Sequence, residues 1–276
     1  MTLNTVTEVK QPLTSEDITE WRDGYAWLAG GTWLFSTPQT GTHTLIDLQS
    51  LEWPALQVEA DGLEIAATCT LAELGSFDAP AAWKSAPLFK LCCDSLLASF
   101  KIWNAATVGG NICMSLPAGS MISLTASLEG TYTLWPRDGD PRKVAAVDFV
   151  TGNHANVLGR GELLRSIHLP ARALAKRFAF RRASLTHLGR SAIIVIGTQS
   201  PGSDDLLLTV TAATVRPFQL RFKHMPDAKT LREAIFSTIP EVGYFDDVHG
   251  SALYKRHLTY FFAEEIRAEF ATGERT

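Results

Sequence analysis

The sequence predicts an α+β fold. Helix-spaced and alternating apolar segments intermix as far as Pro170, and beyond it a run of short strands precedes two closing helices. A length of 276 residues suits one domain plus a modest appendage. With 46% apolar and 20% charged residues, the chain has the composition of an ordinary globular protein able to bury a substantial core.

Thr14-Ser15-Glu16-Asp17 has the form of a capping box, and Ile18, Trp21 and Arg22 carry helical spacing to about Asp23, before Gly24. A strand over 25–29 delivers the pair Gly30-Gly31. Turn residues around Pro38 and Gly41 lead to a second strand over 44–48. Alternation of Leu56, Val58, Leu63 and Ile65 around Asp61-Gly62 predicts a hairpin over 56–67. Helices are expected over 70–75, 86–99 and around Met121, Leu124 and Leu128, with strands over 132–135 and 162–169 and a turn over 137–141. Four strands, 178–182, 191–197, 206–210 and 214–222, then read as an antiparallel meander, followed by helices over 228–237 and 251–270. The change of character puts a boundary near 172. Residues 1–172 form one domain, with a small α/β subdomain to about 55 and a larger α+β subdomain after it, and 173–276 form a C-terminal α+β domain.

A net charge of -4 argues against a nucleic-acid partner, whose phosphates call for a surplus of Lys and Arg. No apolar run approaches the roughly eighteen residues of a membrane span, and residues 1–12 lack the apolar stretch of a secretory signal, so a cytoplasmic protein is expected. Cys69, Cys92, Cys93 and Cys113 match neither an extracellular disulfide pattern nor metal-site spacing, and the adjacent Cys92 and Cys93, in an apolar helix-like stretch, read as reduced packing residues. The seven histidines are scattered, so no metal site is expected. No acid-base or nucleophile constellation nominates a catalytic residue, and neither a Walker loop nor a G-x-G-x-x-G follows a strand. The stripe Leu258, Phe262, Ile266 and Phe270, beside Glu264, Glu265 and Glu269, reads as core packing rather than a membrane face.

Two glycine pairs stand out, Ala29-Gly30-Gly31-Thr32 and Thr107-Val108-Gly109-Gly110-Asn111. Glycine lets backbone N–H groups approach a ligand closely and makes positive φ accessible. Two such loops facing each other, with Thr32, Thr107 and Asn111 adding side-chain donors, would surround a diphosphate without a basic cluster. Either pair alone is also compatible with an ordinary turn.

The stretches Leu28-Ala29-Gly30-Gly31-Thr32-Trp33-Leu34, Ile46-Asp47-Leu48 and Ile102-Trp103-Asn104-Ala105-Ala106-Thr107-Val108-Gly109-Gly110-Asn111-Ile112 resemble the FAD-binding medium subunit of molybdenum hydroxylases. This is the group of xanthine dehydrogenase and carbon monoxide dehydrogenase flavin subunits. Val147-Asp148-Phe149, Glu162-Leu163-Leu164 to Pro170, and Ser251-Ala252-Leu253-Tyr254-Lys255-Arg256 follow in that family's order, so the resemblance covers nearly the whole chain. It implies a two-part FAD fold of the vanillyl-alcohol oxidase type followed by a small C-terminal domain of the carbon monoxide dehydrogenase flavoprotein type. It further implies an FAD-dependent oxidoreductase component whose flavin collects electrons from a 2Fe-2S small subunit, itself fed by a molybdenum-cofactor large subunit, and passes them to NAD+ or another acceptor. Carried onto this sequence, the resemblance assigns the cofactor to Leu28, Ala29, Gly30, Gly31, Thr32, Trp33, Leu34, Thr107, Val108, Gly109, Gly110, Asn111, Ser120 and Leu164. The sequence departs from the family at Trp33, in place of an acidic residue, at Trp103, in place of arginine, and at Ser120, in place of aspartate. Those departures leave a second reading open, a scaffold subunit of such a complex that binds FAD weakly or not at all. Arg181 and Arg182, with Arg177, are expected either near the flavin or on a solvated strand edge.

Overall fold

The computed structural model describes residues 5–18, 20–186 and 189–273. Three larger sheets and one two-stranded sheet form among the described residues. The first is parallel, with β3 (Thr44–Asp47) between β1 (Glu8–Lys10) and β2 (Tyr25–Leu28). The second is antiparallel and opens with the hairpin β4 (Leu56–Glu59) and β5 (Gly62–Ala66). The chain then runs through α1 (Leu71–Gly75), α2 (Pro87–Asp94), α3 (Phe100–Trp103), α4 (Val108–Cys113) and α5 (Ser120–Ser127). It returns as β6 (Thr131–Trp135) and β7 (Arg142–Ala145), passes α6 (Ala146–Phe149) and the small pair β8 (Val150–Gly152) and β9 (Ala155–Asn156), and closes with β10 (Leu163–Pro170). The resulting order is β4-β5-β10-β6-β7. After α7 (Ala171–Leu174) comes the meander β11 (Arg177–Ser184), β12 (Ser191–Gln199), β13 (Leu206–Thr211) and β14 (Phe218–Phe222), then α8 (Ala228–Thr238) and α9 (Ala252–Thr272).

Helix α5 explains how these layers join. All eight of its residues are buried, the behaviour of a helix covered on every side. On one side Thr125 Oγ1 and Tyr132 Oη lie 2.6 Å apart. On the other, Ser123 Oγ lies 2.7 Å from Thr211 Oγ1, and Gln219 Nε2 donates to the Ala126 carbonyl at 2.7 Å. Strand β12 is buried at every position for the same reason. Ile194 and Ile196 join the core around α5, while Ile193 and Val195 join the core under α8 and α9. An alternating strand with two covered faces reads in sequence as a continuous apolar run.

Several boundaries differ from expectation. Among the described residues no helix continues to Asp23: a single 3-10 turn, Ser15–Asp17, forms, with Asp17 Oδ2 accepting the N–H groups of Leu13 and Thr14. Beyond it the Trp21 ring packs at a tilt against Trp27, 4.6 Å between centroids, and that tertiary contact outweighs local spacing. In the hairpin Glu59 pairs with Gly62, so the turn residues are Ala60 and Asp61. Gly62 opens β5 because a Cβ there would lie 2.0 Å from the Leu169 carbonyl oxygen. Helix α2 stops at Asp94, and β14 begins at Phe218 because Pro217 has no N–H for the ladder.

Candidate functional site

A cavity of ≈ 860 Å³ lies where the first sheet meets the second. Its wall is built from the loop after β2 (Ala29 to Leu34), the loop after α2 (Ser95 to Ala98), α4 with the segment leading to α5, and Leu158 with Glu162 to Leu164. Arg190, just before β12, and His249, just before α9, reach it from the C-terminal part. The wall is largely apolar, as expected of a site for an organic ligand. A smaller hollow of ≈ 400 Å³ on the second sheet is lined by Glu59, Asp61, Glu64, Lys143 and His168 among others. Its three carboxylates repel an anionic ligand, so the larger cavity is the candidate.

The two glycine loops border this cavity in different ways. In the first, the backbone N–H groups of Gly30, Gly31, Thr32, Trp33 and Leu34 have no acceptor among the described residues, whereas the Gly31 and Trp33 carbonyls accept Phe35 and Ser36 at 2.8 Å each. The loop therefore begins a tight turn with its donors left open, the arrangement that binds anions. Gly31 has φ of +65°, and a Cβ on Gly30 would lie 1.7 Å from the Ala105 oxygen. The second glycine of this pair is set by backbone conformation and the first by contact with the segment that carries the other pair.

In the second loop the donors are occupied. Val108 N–H donates to Cys69 O at 2.8 Å, Gly109 N–H to Ala67 O at 2.9 Å, and Asn111 N–H to Thr107 O at 3.0 Å. Gly110 N–H donates to Thr107 Oγ1 at 3.0 Å, which caps α4. Asn111 Oδ1 accepts the Met121 N–H at 3.1 Å and so holds the start of α5. Gly109 is glycine because a Cβ would lie 2.5 Å from Ala67 Cβ. The expectation that both loops present backbone donors to one diphosphate thus meets a difference between them: the backbone donors of the second are occupied, and its polar side chains on the wall are those of Asn111 and of Thr107, which is 2% exposed.

Of the residues named from sequence, Ala29 to Leu34, Thr107, Gly109, Gly110, Asn111 and Leu164 line the cavity together. Leu28, Val108 and Ser120 are not on its wall. Leu28 belongs to β2, and Val108 and Ser120 have no exposed surface because they face the core beneath α4 and α5. Ser120 Oγ is buried without a partner, as is Trp103 Nε1. These two departures from the family pattern therefore sit in the packing, away from the wall. Trp33 lines the cavity but is 41% exposed, with its ring 5.8 Å from that of His154, so its bulk stands at the mouth.

The arginines of β11 are engaged elsewhere. Arg181 pairs with Glu265 at 2.9 Å and Glu269 at 2.8 Å on α9, and Arg177 stacks on Phe270 at 4.7 Å. Arg182 Nε donates to Ser191 Oγ at 2.7 Å, and its Nη2 donates to the Gly189 carbonyl.

Sequence reasoning missed the apolar wall formed by Leu96, Leu97, Ile102, Met114, Leu116 and Leu158. Ile102 lies inside a quoted motif, and Met114 and Leu116 fall between Asn111 and Ser120, so adjacency was the available signal. Arg190 and His249 had none, since only the tertiary fold brings them there. Glu162 is 6% exposed and accepts from Arg142 Nε and Nη2 at 2.7 Å each and from Gly159 N–H at 2.8 Å. The Arg142 hydrogen bonds hold its carboxyl below the usual range, so it stays ionised and neutralised. Burial pushes the Cys113 thiol up to about 12, so this cysteine on the wall is no nucleophile at neutral pH. Among the described residues no group of His, Cys, Asp and Glu could hold a metal ion, and no helix is long and apolar enough to cross a membrane.

Known proteins resemble this chain at both levels. Residues 5–172 match the family described as FAD binding domain in molybdopterin dehydrogenase. Xanthine dehydrogenase 1 of Arabidopsis thaliana is 31% identical over 127 residues, 43% of this chain and 9% of that protein. Xanthine dehydrogenase of Oryza sativa is 29% identical over 125 residues, again 9% of its length, so the match takes in under a tenth of these relatives. In three dimensions the chain is similar to one in reconstituted CO dehydrogenase from Oligotropha carboxidovorans, with TM-score 0.80, 23% identity, and 97% of this chain and 99% of that one covered. It is equally similar to a chain of quinoline 2-oxidoreductase from Pseudomonas putida 86, with TM-score 0.79, 19% identity and 99% of both chains covered. The fold is therefore the α+β architecture of these chains, and the protein belongs to the family of FAD-binding domains of molybdopterin dehydrogenases.

Proposed function

We propose that the chain is the FAD-carrying subunit of a molybdopterin-dependent hydroxylase or dehydrogenase, taking electrons from a 2Fe-2S partner and passing them to NAD+ or another acceptor. In this reading residues 1–172 bind the cofactor, residues 173–276 cover it, and the assembly, with its molybdenum-cofactor subunit, works in the cytoplasm. The observation that carries the proposal is the row of N–H groups from Gly30 to Leu34, unpartnered among the described residues, at the edge of a large, mostly apolar cavity. The residues present fit FAD: open donors answer a diphosphate, and the apolar wall answers the rings.

Bound FAD would supply reversible electron uptake and release, and this chain's residues would orient it and exclude water. Gly30 to Leu34 hold the diphosphate, and the Asn111 amide nitrogen and Thr107 hydroxyl add donors from the opposite wall. Leu96, Leu97, Ile102, Met114 and Leu164 enclose the rings.

The test is the absorption spectrum of freshly purified protein. A flavin spectrum, with FAD released on denaturation, supports the proposal. Colourless protein that stays apo in excess FAD while co-purifying with a molybdenum subunit would replace it with a scaffold role.

A further inference from the structure

Charge on the cavity wall is unevenly resolved. Glu162 is neutralised by the two-pronged Arg142 contact. Cys113 is held as a thiol by burial. Arg190 is different: it lines the cavity, is half-buried, and its guanidinium has no carboxylate or carbonyl partner among the described residues. A permanently charged group on a mostly apolar wall is costly unless an anion meets it. FAD carries its permanent charge at neutral pH on the diphosphate, and the neutral N–H donors of Gly30 to Leu34 solvate that charge without cancelling it.

Arg190 is also held in place from both sides. Arg182 donates to the Gly189 carbonyl, immediately before it, and to Ser191 Oγ at 2.7 Å, immediately after it. Gly189 N–H in turn donates to Thr186 O at 2.8 Å, which further ties down the backbone before the position. Arg182 is thus placed to fix the backbone that delivers Arg190.

Building on the FAD reading, we propose that Arg190 is the counter-charge of the cofactor, its guanidinium pairing with the diphosphate in the cavity, and that Arg182 is its positioning residue. The C-terminal part thereby contributes directly to cofactor affinity instead of only covering the site.

The experiment measures binding of FAD and of riboflavin, which lacks the diphosphate, to the full chain stripped of flavin, at low and high salt. Arg190→Gln should weaken FAD on the order of tenfold, the worth of a charge-assisted contact, and leave riboflavin unchanged. It should also flatten the salt dependence of FAD binding and leave the thermal midpoint unchanged, while Arg190→Lys recovers part of the affinity. Arg182→Ala should weaken FAD in the same direction, and the double variant should bind no more weakly than Arg190→Gln alone, because both changes remove one contact. Wild-type FAD affinity in Arg190→Gln, or an equal loss of riboflavin, overturns the role of Arg190. Additive losses in the double variant overturn the role of Arg182. Failure of the wild-type chain to bind FAD at all overturns the underlying reading instead.

Discussion

The two Gly-Gly loops border one cavity, yet the fold uses them in opposite ways. Gly30-Gly31 leaves five consecutive N–H groups without an acceptor among the described residues, whereas the N–H groups of Val108, Gly109, Gly110 and Asn111 all have partners inside the protein. The difference follows from their neighbours. The second loop runs beside the segment 67–71, with Leu71 N–H donating to Ala106 O at 2.9 Å and Thr70 bridging Thr107, so its backbone is consumed by pairing. The first loop leaves a parallel strand at the sheet edge, and although Gly30 presses on Ala105 its N–H groups find no such pairing among the described residues. One dipeptide thus marks a ligand-facing turn in one place and a tight packing joint in the other.

Substitutions can separate these roles. Gly30→Ala should have the largest effect, since its Cβ would fall 1.7 Å from Ala105 O and force the loops apart. A loss of about 3 kcal/mol in denaturant unfolding is expected, together with loss of FAD retention. Gly109→Ala, pressed on Ala67, should cost about 2 kcal/mol and lower FAD content only as far as the fold is lost. Gly31→Ala should cost about 1 to 2 kcal/mol from its left-handed backbone, and its FAD affinity should fall by more than the stability loss explains.

Glu162→Gln tests the wall between the loops. The native carboxyl is held low, so its contribution is present above the ordinary carboxylate range and lost as pH falls through the lowered value. The variant should lose about 1 kcal/mol at neutral pH, discounted because Arg142 is partly exposed, and its stability should fall less steeply in acid. Gly110→Ala should change stability least, by about 0.5 to 1 kcal/mol, because its Cβ would lie 2.9 Å from the capping Thr107 Oγ1, a strain that alanine's helix preference partly offsets. If Gly110→Ala instead removed FAD as completely as Gly31→Ala, the contrast between the loops would fail.

Much of this architecture was legible. The meander, the hairpin and the long C-terminal helix follow from alternation and helical spacing, and the order of motifs pointed to the family. What escaped was set by tertiary contacts. The helix expected to reach Asp23 yields to the tilted Trp21–Trp27 contact. The arginines of β11 are held by Glu265, Glu269 and the backbone around Arg190, a pairing that local sequence does not encode. For the site, the glycines were visible, but whether their N–H groups are open depends on which strand lies beside them. Ser120 occupies the position where the family carries aspartate, yet it is buried beside Met121, away from the wall.

The most direct measurement of the central claim is residue-resolved amide hydrogen exchange of the flavin-free chain with and without added FAD. Slowed exchange at Gly30 to Leu34 on FAD binding is expected, with Val108 to Asn111 protected already in its absence. Protection that FAD confers on Val108 to Asn111 while Gly30 to Leu34 continues to exchange freely would contradict the account.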